Sequence, residues 1–220
     1  MKTLSPAELA RRIERMLFRP DATRRDIELL CAEARAQGSH CVCVNGSHVE
    51  LACALLEESE VKVTGLVAFP LGAADMDTKR YETEVAIDYG AQEIEMVLNL
   101  GRLKDGDHRY VLRELRDVAE AADERPVKVI LETGLLKPEE VRRACELALD
   151  SGVHCVCTGT GLRSAATAED VRSLRAAVGD KFGVKAAGVT DGPTALALLE
   201  AGASRLGTAE GVIGLSDLVN

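Results

Sequence analysis

The chain has 220 residues, 46% of them hydrophobic, enough for one large domain with its own core. A formal charge of −9, three Tyr, three Phe and no Trp argue against nucleic acid, which needs a basic footprint and stacking surfaces. No apolar run approaches the roughly 18–20 residues of a membrane span. Residues 1–6 lack a secretory apolar stretch, so the seven cysteines are expected to be free thiols in a reducing cytoplasm.

In chain order, Ser5-Pro6-Ala7-Glu8 is a capping box that starts a leading helix. A short, weak strand is expected near 15–19, then a helix over 23–37 stopped by Gly38. Strands follow at 40–45, 61–69, 93–99, 127–133, 154–159, 183–188 and 205–208. Helices at 47–58, 77–89, 110–122, 138–149, 168–178 and 193–201 separate them. Eight strands alternating with helices at this length indicate one (β/α)8 TIM barrel over 1–220 with an extra N-terminal helix. An open doubly wound sheet is the alternative, but no Gly-x-Gly-x-x-Gly follows an early strand, which weakens a dinucleotide version.

His-Cys-Val-Cys occurs at 40–43 and again at 154–157, in strands two and six on opposite sides of such a barrel. Alternation puts both cysteines of each pair on one face and the histidine on the other. Cys43 and Cys157 then approach the lumen, each as a nucleophile or as a small apolar filler. His40 and His154 fall at strand starts, away from the chemical end of a barrel, so no histidine is placed in the site. No full ligand set with metal spacing is present, and neither a metal nor a cofactor is expected.

Lys185 lies between Val184 and Ala186 in a central strand, where an unpaired lysine is costly. Either desolvation frees it as a nucleophilic amine, or it is tied in a structural ion pair with Glu95 or Glu132. Lys128 follows the same logic and could support Lys185. Glu93 and Glu95 share a strand face with Val97 and Asn99, and a carboxylate beside either lysine can act as general acid or base.

These segments resemble the deoxyribose-phosphate aldolase family from about Leu17 to Leu215. The resemblance rests on Val42-Cys43-Val44-Asn45, Phe69-Pro70-Leu71-Gly72-Ala73, the 91–99 strand, Val127-Lys128-Val129-Ile130-Leu131-Glu132-Thr133 and Gly183-Val184-Lys185-Ala186-Ala187-Gly188. It implies a Schiff-base lysine at position 157, where this chain has Cys157 in Cys157-Thr158-Gly159-Thr160-Gly161. It implies that Lys185 is the second lysine and that Glu95 stands for the family's aspartate, one methylene longer. The family's early Asp-His-Thr aligns with Glu14-Arg15-Met16. The phosphate loops are altered to Ala187-Gly188-Val189 and Gly207-Thr208-Ala209-Glu210-Gly211, and Glu210 would repel a phosphate. Arg163 argues the other way.

The catalytic set is therefore Lys185, Glu95, Cys157 and Lys128. The expected substrate pocket is lined by Cys43, Asn99, Thr158, Gly161, Arg163, Gly188 and Glu210. Together these residues imply a repurposed lyase acting on a small, unphosphorylated carbonyl compound by carbon–carbon bond, enolisation or cyclisation chemistry. The alternatives are a non-catalytic aldolase-like protein that binds a metabolite or partner, and an ordinary 2-deoxyribose-5-phosphate aldolase with a relocated lysine. A homodimer is expected as the assembly, by likeness to the family.

Overall fold

The structure, a computed structural model, describes residues 5–209. Strands β1 (Ile13–Leu17), β2 (Cys41–Val44), β3 (Lys62–Val67), β4 (Glu93–Val97), β5 (Val127–Ile130), β6 (Cys155–Cys157), β7 (Gly183–Ala187) and β8 (Arg205–Ala209) pair in parallel in chain order. β8 closes back on β1, giving a (β/α)8 barrel. Around it run α1 (Pro6–Ala10), α2 (Arg24–Gln37), α3 (Val49–Leu56), α4 (Met76–Asp88), α5 (Leu100–Lys104), α6 (His108–Ala121), α7 (Pro138–Leu149), α8 (Ala168–Val178) and α9 (Gly192–Glu200). No described helix is long and apolar enough to cross a membrane.

Local chemistry explains the punctuation. Ser5 and Glu8 form the expected capping box of α1, and Thr23 and Asp26 form another at α2. Gly38 ends α2 in the left-handed region, where a side chain would be strained. β1 starts two residues earlier than expected, because two of its five buried positions are charged and disguise it. Glu14 points into the lumen, whereas Arg15 points out and pairs with Glu33 of α2 at 2.9 Å. The short α5 was also unexpected. The Asn99 side chain starts it by accepting from the Arg102 N–H.

The Val-Cys-Val pattern sorts the barrel into two shells. Val42, Val44, Val63, Ile94, Met96, Val127, Val129, Val156 and Val184 belong to the large core between strands and helices. The cysteines face the lumen, beside Met16 and Leu66 on one side and Val97 and Ile130 on the other. Behind β4, a fully buried ion pair between Lys79 of α4 and Glu114 of α6 spans 2.9 Å. Lys79 also donates to the Val97 carbonyl, and Glu114 accepts from the Asn99 N–H. This pair pins the C-terminal end of β4, where the site begins.

Removing one member of such a pair strands a buried charge. Glu114→Leu is expected to lower unfolding stability by about 3–5 kcal/mol, read from urea denaturation midpoints. Adding Lys79→Met should recover much of the loss; no recovery in the double variant would show that the pair is not what fixes this corner.

Candidate active site

Parallel register stacks the inward side chains in layers. Glu95 of β4 is in register with Lys128 of β5, and Cys157 of β6 with Lys185 of β7. Glu14 projects from β1, Thr64 from β3 and Glu93 from β4. Five charged side chains therefore meet inside a closed barrel, all of them less than 5% exposed.

Glu14 is the hub. Its Oε2 lies 2.7 Å from both Lys128 Nζ and Lys185 Nζ. Lys185 also donates to Glu95 at 2.6 Å and 2.8 Å. Lys128 donates to Glu93 Oε2 at 3.0 Å, with Thr64 Oγ1 at 3.4 Å. At the floor, Glu93 Oε1 meets Lys62 Nζ at 3.1 Å and His40 Nε2 at 3.0 Å. His40 precedes β2, so strand alternation does not bind it, and it reaches under the rim to the lumenal carboxylate.

These contacts set the protonation states. Burial alone would raise the Glu14 pKa, but the ammonium groups of Lys128 and Lys185 outweigh it and pull it from 4.5 to about 2. Burial would likewise depress Lys185. The carboxylates of Glu14 and Glu95 reverse that and hold it well above the lysine range. Lys128 behaves the same way, through Glu14 and Glu93. Burial pushes Cys157 and Cys43 well above the thiol range, with the neighbouring cysteine adding to it. The lysines are thus ammonium ions and the two cysteines neutral thiols. Of the two readings of Lys185, a desolvated free amine or an ion pair, this geometry provides the ion pair, with Glu95 and also with Glu14.

Among the described residues, two groupings have metal-ligand proximity, Glu14 with Cys41 and Cys43, and Glu14 with His40 and Glu93. In both, the carboxylates already hold ammonium protons. The three N–H bonds of Lys128 face Glu14, Glu93 and Thr64, so a built-in cation occupies the place a metal would take.

Toward the C-terminal mouth, the next layer is apolar. Val97 lies two residues beyond Glu95, and Ile130 two beyond Lys128. With Cys155 and Cys157 they pack on Phe69, which also touches the Met16–Cys41–Cys43–Leu66 side. The Phe69 and Phe18 rings lie 5.1 Å apart between centroids. On β8, Gly207 leaves room for the lysine stem; a Cβ there would come within 2.8 Å of Lys185 Cε. Mouth loops are held by side chains of the barrel wall. The Glu82 carboxylate accepts from the N–H of Ala68, whose φ is +50°. Glu132, itself at φ +52°, accepts from the N–H and hydroxyl of Thr160.

The lumen thus brings together Lys185, Glu95, Lys128 and Cys43, with Cys157 in register beside Lys185. It does not gather the rest of the expected set. Glu132, read as a possible partner of Lys185, bonds Thr160 instead. Asn99 caps α5, and Thr158 accepts from the Ala187 N–H with its hydroxyl. Gly161 and Gly188, both at positive φ, bring the loops after β6 and β7 into contact. Arg163 is exposed, and Glu210 lies outside the described residues. Glu14 was missed as the hub, since from sequence it was only one member of an altered triplet. The signal was an acid at a strand position between Ile13 and Leu17.

Residues 14–215 match the family model described as DeoC/LacD family aldolase. The chain belongs to the DeoC/LacD aldolase family. Its relatives include deoxyribose-phosphate aldolase 1 of Bacillus licheniformis, 49% identical over 93% of each chain. Another is the deoxyribose-phosphate aldolase of Alkaliphilus oremlandii, 44% identical over 95% of this chain and 96% of the relative. Among solved structures, an aldolase called QR15 superposes with a TM-score of 0.91 at 31% identity, covering 96% of both chains. The tetrameric deoxyribose phosphate aldolase of Aeropyrum pernix superposes with a TM-score of 0.90 at 29% identity, covering 97% of this chain and 92% of that one. Family membership makes this a lyase-type barrel.

The lowered pKa of Glu14 has a signed consequence. A carboxylate depressed on folding stabilises the native state above its unfolded pKa, and that contribution is lost as pH falls through the folded one. Stability should therefore fall between about pH 4.5 and pH 2. Glu14→Gln should flatten the pH dependence of the urea midpoint in that window. An unchanged slope would show that Glu14 does not carry the ionic hub.

Proposed function

We propose that this family member catalyses proton-transfer chemistry on a small, unphosphorylated carbonyl compound, with Lys185 as electrophile and Glu95 as base. The observation that carries this is the Lys185 ammonium held 2.6 Å from Glu95 in a site with no exposure. An ammonium cannot attack a carbonyl, but it can donate a hydrogen bond and then a proton to a carbonyl oxygen. Glu95 takes the α-proton, and the product is an enol. The enol reprotonates on carbon, or attacks a second carbonyl group with formation of a carbon–carbon bond. In either case Glu95 returns its proton and Lys185 regains its own. The same steps in reverse cleave an aldol.

The resemblance to the aldolases supports placing Cys157 where an imine-forming lysine would stand. A thiol there cannot form an imine, and its raised pKa makes it a poor nucleophile. Cys157 is read as a pocket wall beside the Lys185 stem. Glu14 and Glu95, each one methylene longer than the aspartates they resemble, reach into a lumen where the short Cys157 stands in place of the family's imine-forming lysine. Lys128 holds Glu14 in place and contributes to positioning. The altered phosphate loops support an unphosphorylated substrate.

A second reading is favoured by the 49% identity to a deoxyribose-phosphate aldolase over nearly the whole chain. In it, Lys185 loses its proton to Glu95 when substrate displaces the ion pair, and the free amine forms the imine on 2-deoxyribose-5-phosphate.

One experiment separates them. Under the first reading, acetaldehyde in D2O exchanges its α-protons with the enzyme present, and borohydride traps no adduct in the intact mass. Glu95→Gln and Lys185→Met should each slow that exchange by roughly 100-fold. A borohydride-reduced adduct that vanishes in Lys185→Met would overturn the first reading and establish the second.

A further inference from the structure

The ionic groups do not end at the site. They form an unbroken file from the floor of the barrel to Lys185. His40 Nε2 lies 3.0 Å from Glu93 Oε1, Glu93 Oε2 lies 3.0 Å from Lys128, and Glu14 Oε2 lies 2.7 Å from both Lys128 and Lys185. Lys128, Glu14 and Lys185 are buried, but the His40 side chain is 16% exposed. His40 also borders an open recess on the N-terminal face, whose other charged lining residues are Glu8, Arg11, Arg12, Arg35, Glu58, Glu60 and Arg205. The opposite end is different. There Val97, Ile130 and Cys157 pack against Phe69, whose ring is tilted against that of Phe18. Those side chains offer no oxygen or nitrogen to relay a proton.

We propose that Lys185 exchanges protons with bulk water through the floor of the barrel, and that His40 is the gate of this path. When Lys185 has given up a proton, Lys128 passes one to Glu14, and Glu14 hands it to Lys185. His40 then passes a proton to Glu93, and Glu93 hands it to Lys128. His40 takes its replacement from water in the recess through its other ring nitrogen. One proton moves inward, and every intermediate group ends as it began. His40 suits this role because its ring has two nitrogens, one set against Glu93 and one left to meet the recess. Lys62 shares Glu93 Oε1 at 3.1 Å, but it has a single nitrogen and so no second atom to take a proton while one is given. His40 is thus a positioning and relay residue, since it touches neither substrate nor reacting atoms.

This deepens the reading of Lys185 and Glu95 as the proton-handling pair, and rests on it only for the consequence in turnover. The test does not need turnover. In the whole protein labelled with 15N-lysine, the exchange of the Lys128 and Lys185 ammonium protons with water is read by NMR. His40→Leu is expected to slow that exchange at least tenfold. His40→Gln, which keeps a side chain able to bond Glu93 and so preserves the fold, should slow it by a similar factor. Phe18→Ala should leave it unchanged. Unchanged or faster exchange in His40→Gln would overturn the proposal. So would a tenfold acceleration in Phe18→Ala, because protons would then be using the mouth. If α-proton exchange of acetaldehyde is absent while the His40 effects hold, the catalytic reading fails and the floor path stands.

Discussion

Everything in the lumen follows from placing two ammonium groups inside a closed barrel. A pair of unit charges about 4 Å apart interacts by roughly 4 kcal/mol at the effective dielectric of a protein, and burying either one unpaired costs more. Glu14 resolves both charges at once, because a single oxygen lies within 2.7 Å of each amine. Glu95 and Glu93 then complete the coordination of Lys185 and Lys128. With so many long side chains converging, the remaining inward positions of β2 and β6 hold thiols.

That arrangement limits which chemistry is available. The same carboxylates that make the lysines affordable to bury also keep them protonated, so nucleophilic attack requires the ion pair to be opened first. Acid–base chemistry needs no such preparation, since donor and acceptor already face each other at 2.6 Å. Membership of an aldolase family fits both routes, because enolisation is the shared half of aldol chemistry. What separates them is whether substrate inserts beside the pair or between its members.

The barrel could be read from sequence because its signals are local. Valine-rich strands, capped helices and Gly38 each declare themselves within a few residues. Lys185, Lys128 and Glu95 were also readable, as charges embedded in apolar strands. Glu14 was not, because the reason for its burial lies 114 residues away on β5 and further still on β7. The link from His40 to Glu93 was hidden for a related cause. Alternation assigned His40 to the outer face, but a residue just before a strand is free of that rule. Asn99 and Thr158 show the converse limit. Polar residues at strand ends resemble ligand-binding groups in sequence, while their hydrogen bonds are spent on starting α5 and on joining the loops after β6 and β7.

Gly207 shows how far the lysine's demands extend. Its missing side chain is the space that the Lys185 stem fills, with Met16 Sδ only 3.0 Å from where a methyl group would stand. Residue 207 and residue 185 therefore form one unit of variation, although they lie on different strands and no hydrogen bond joins their side chains. A shorter residue at 185 would release 207 to accept alanine or serine. A chain that keeps the lysine can drift at 207 only by moving the ends of Lys185 and Met16, so among divergent barrels of this type a non-glycine residue there would mark an amine seated differently against its carboxylates.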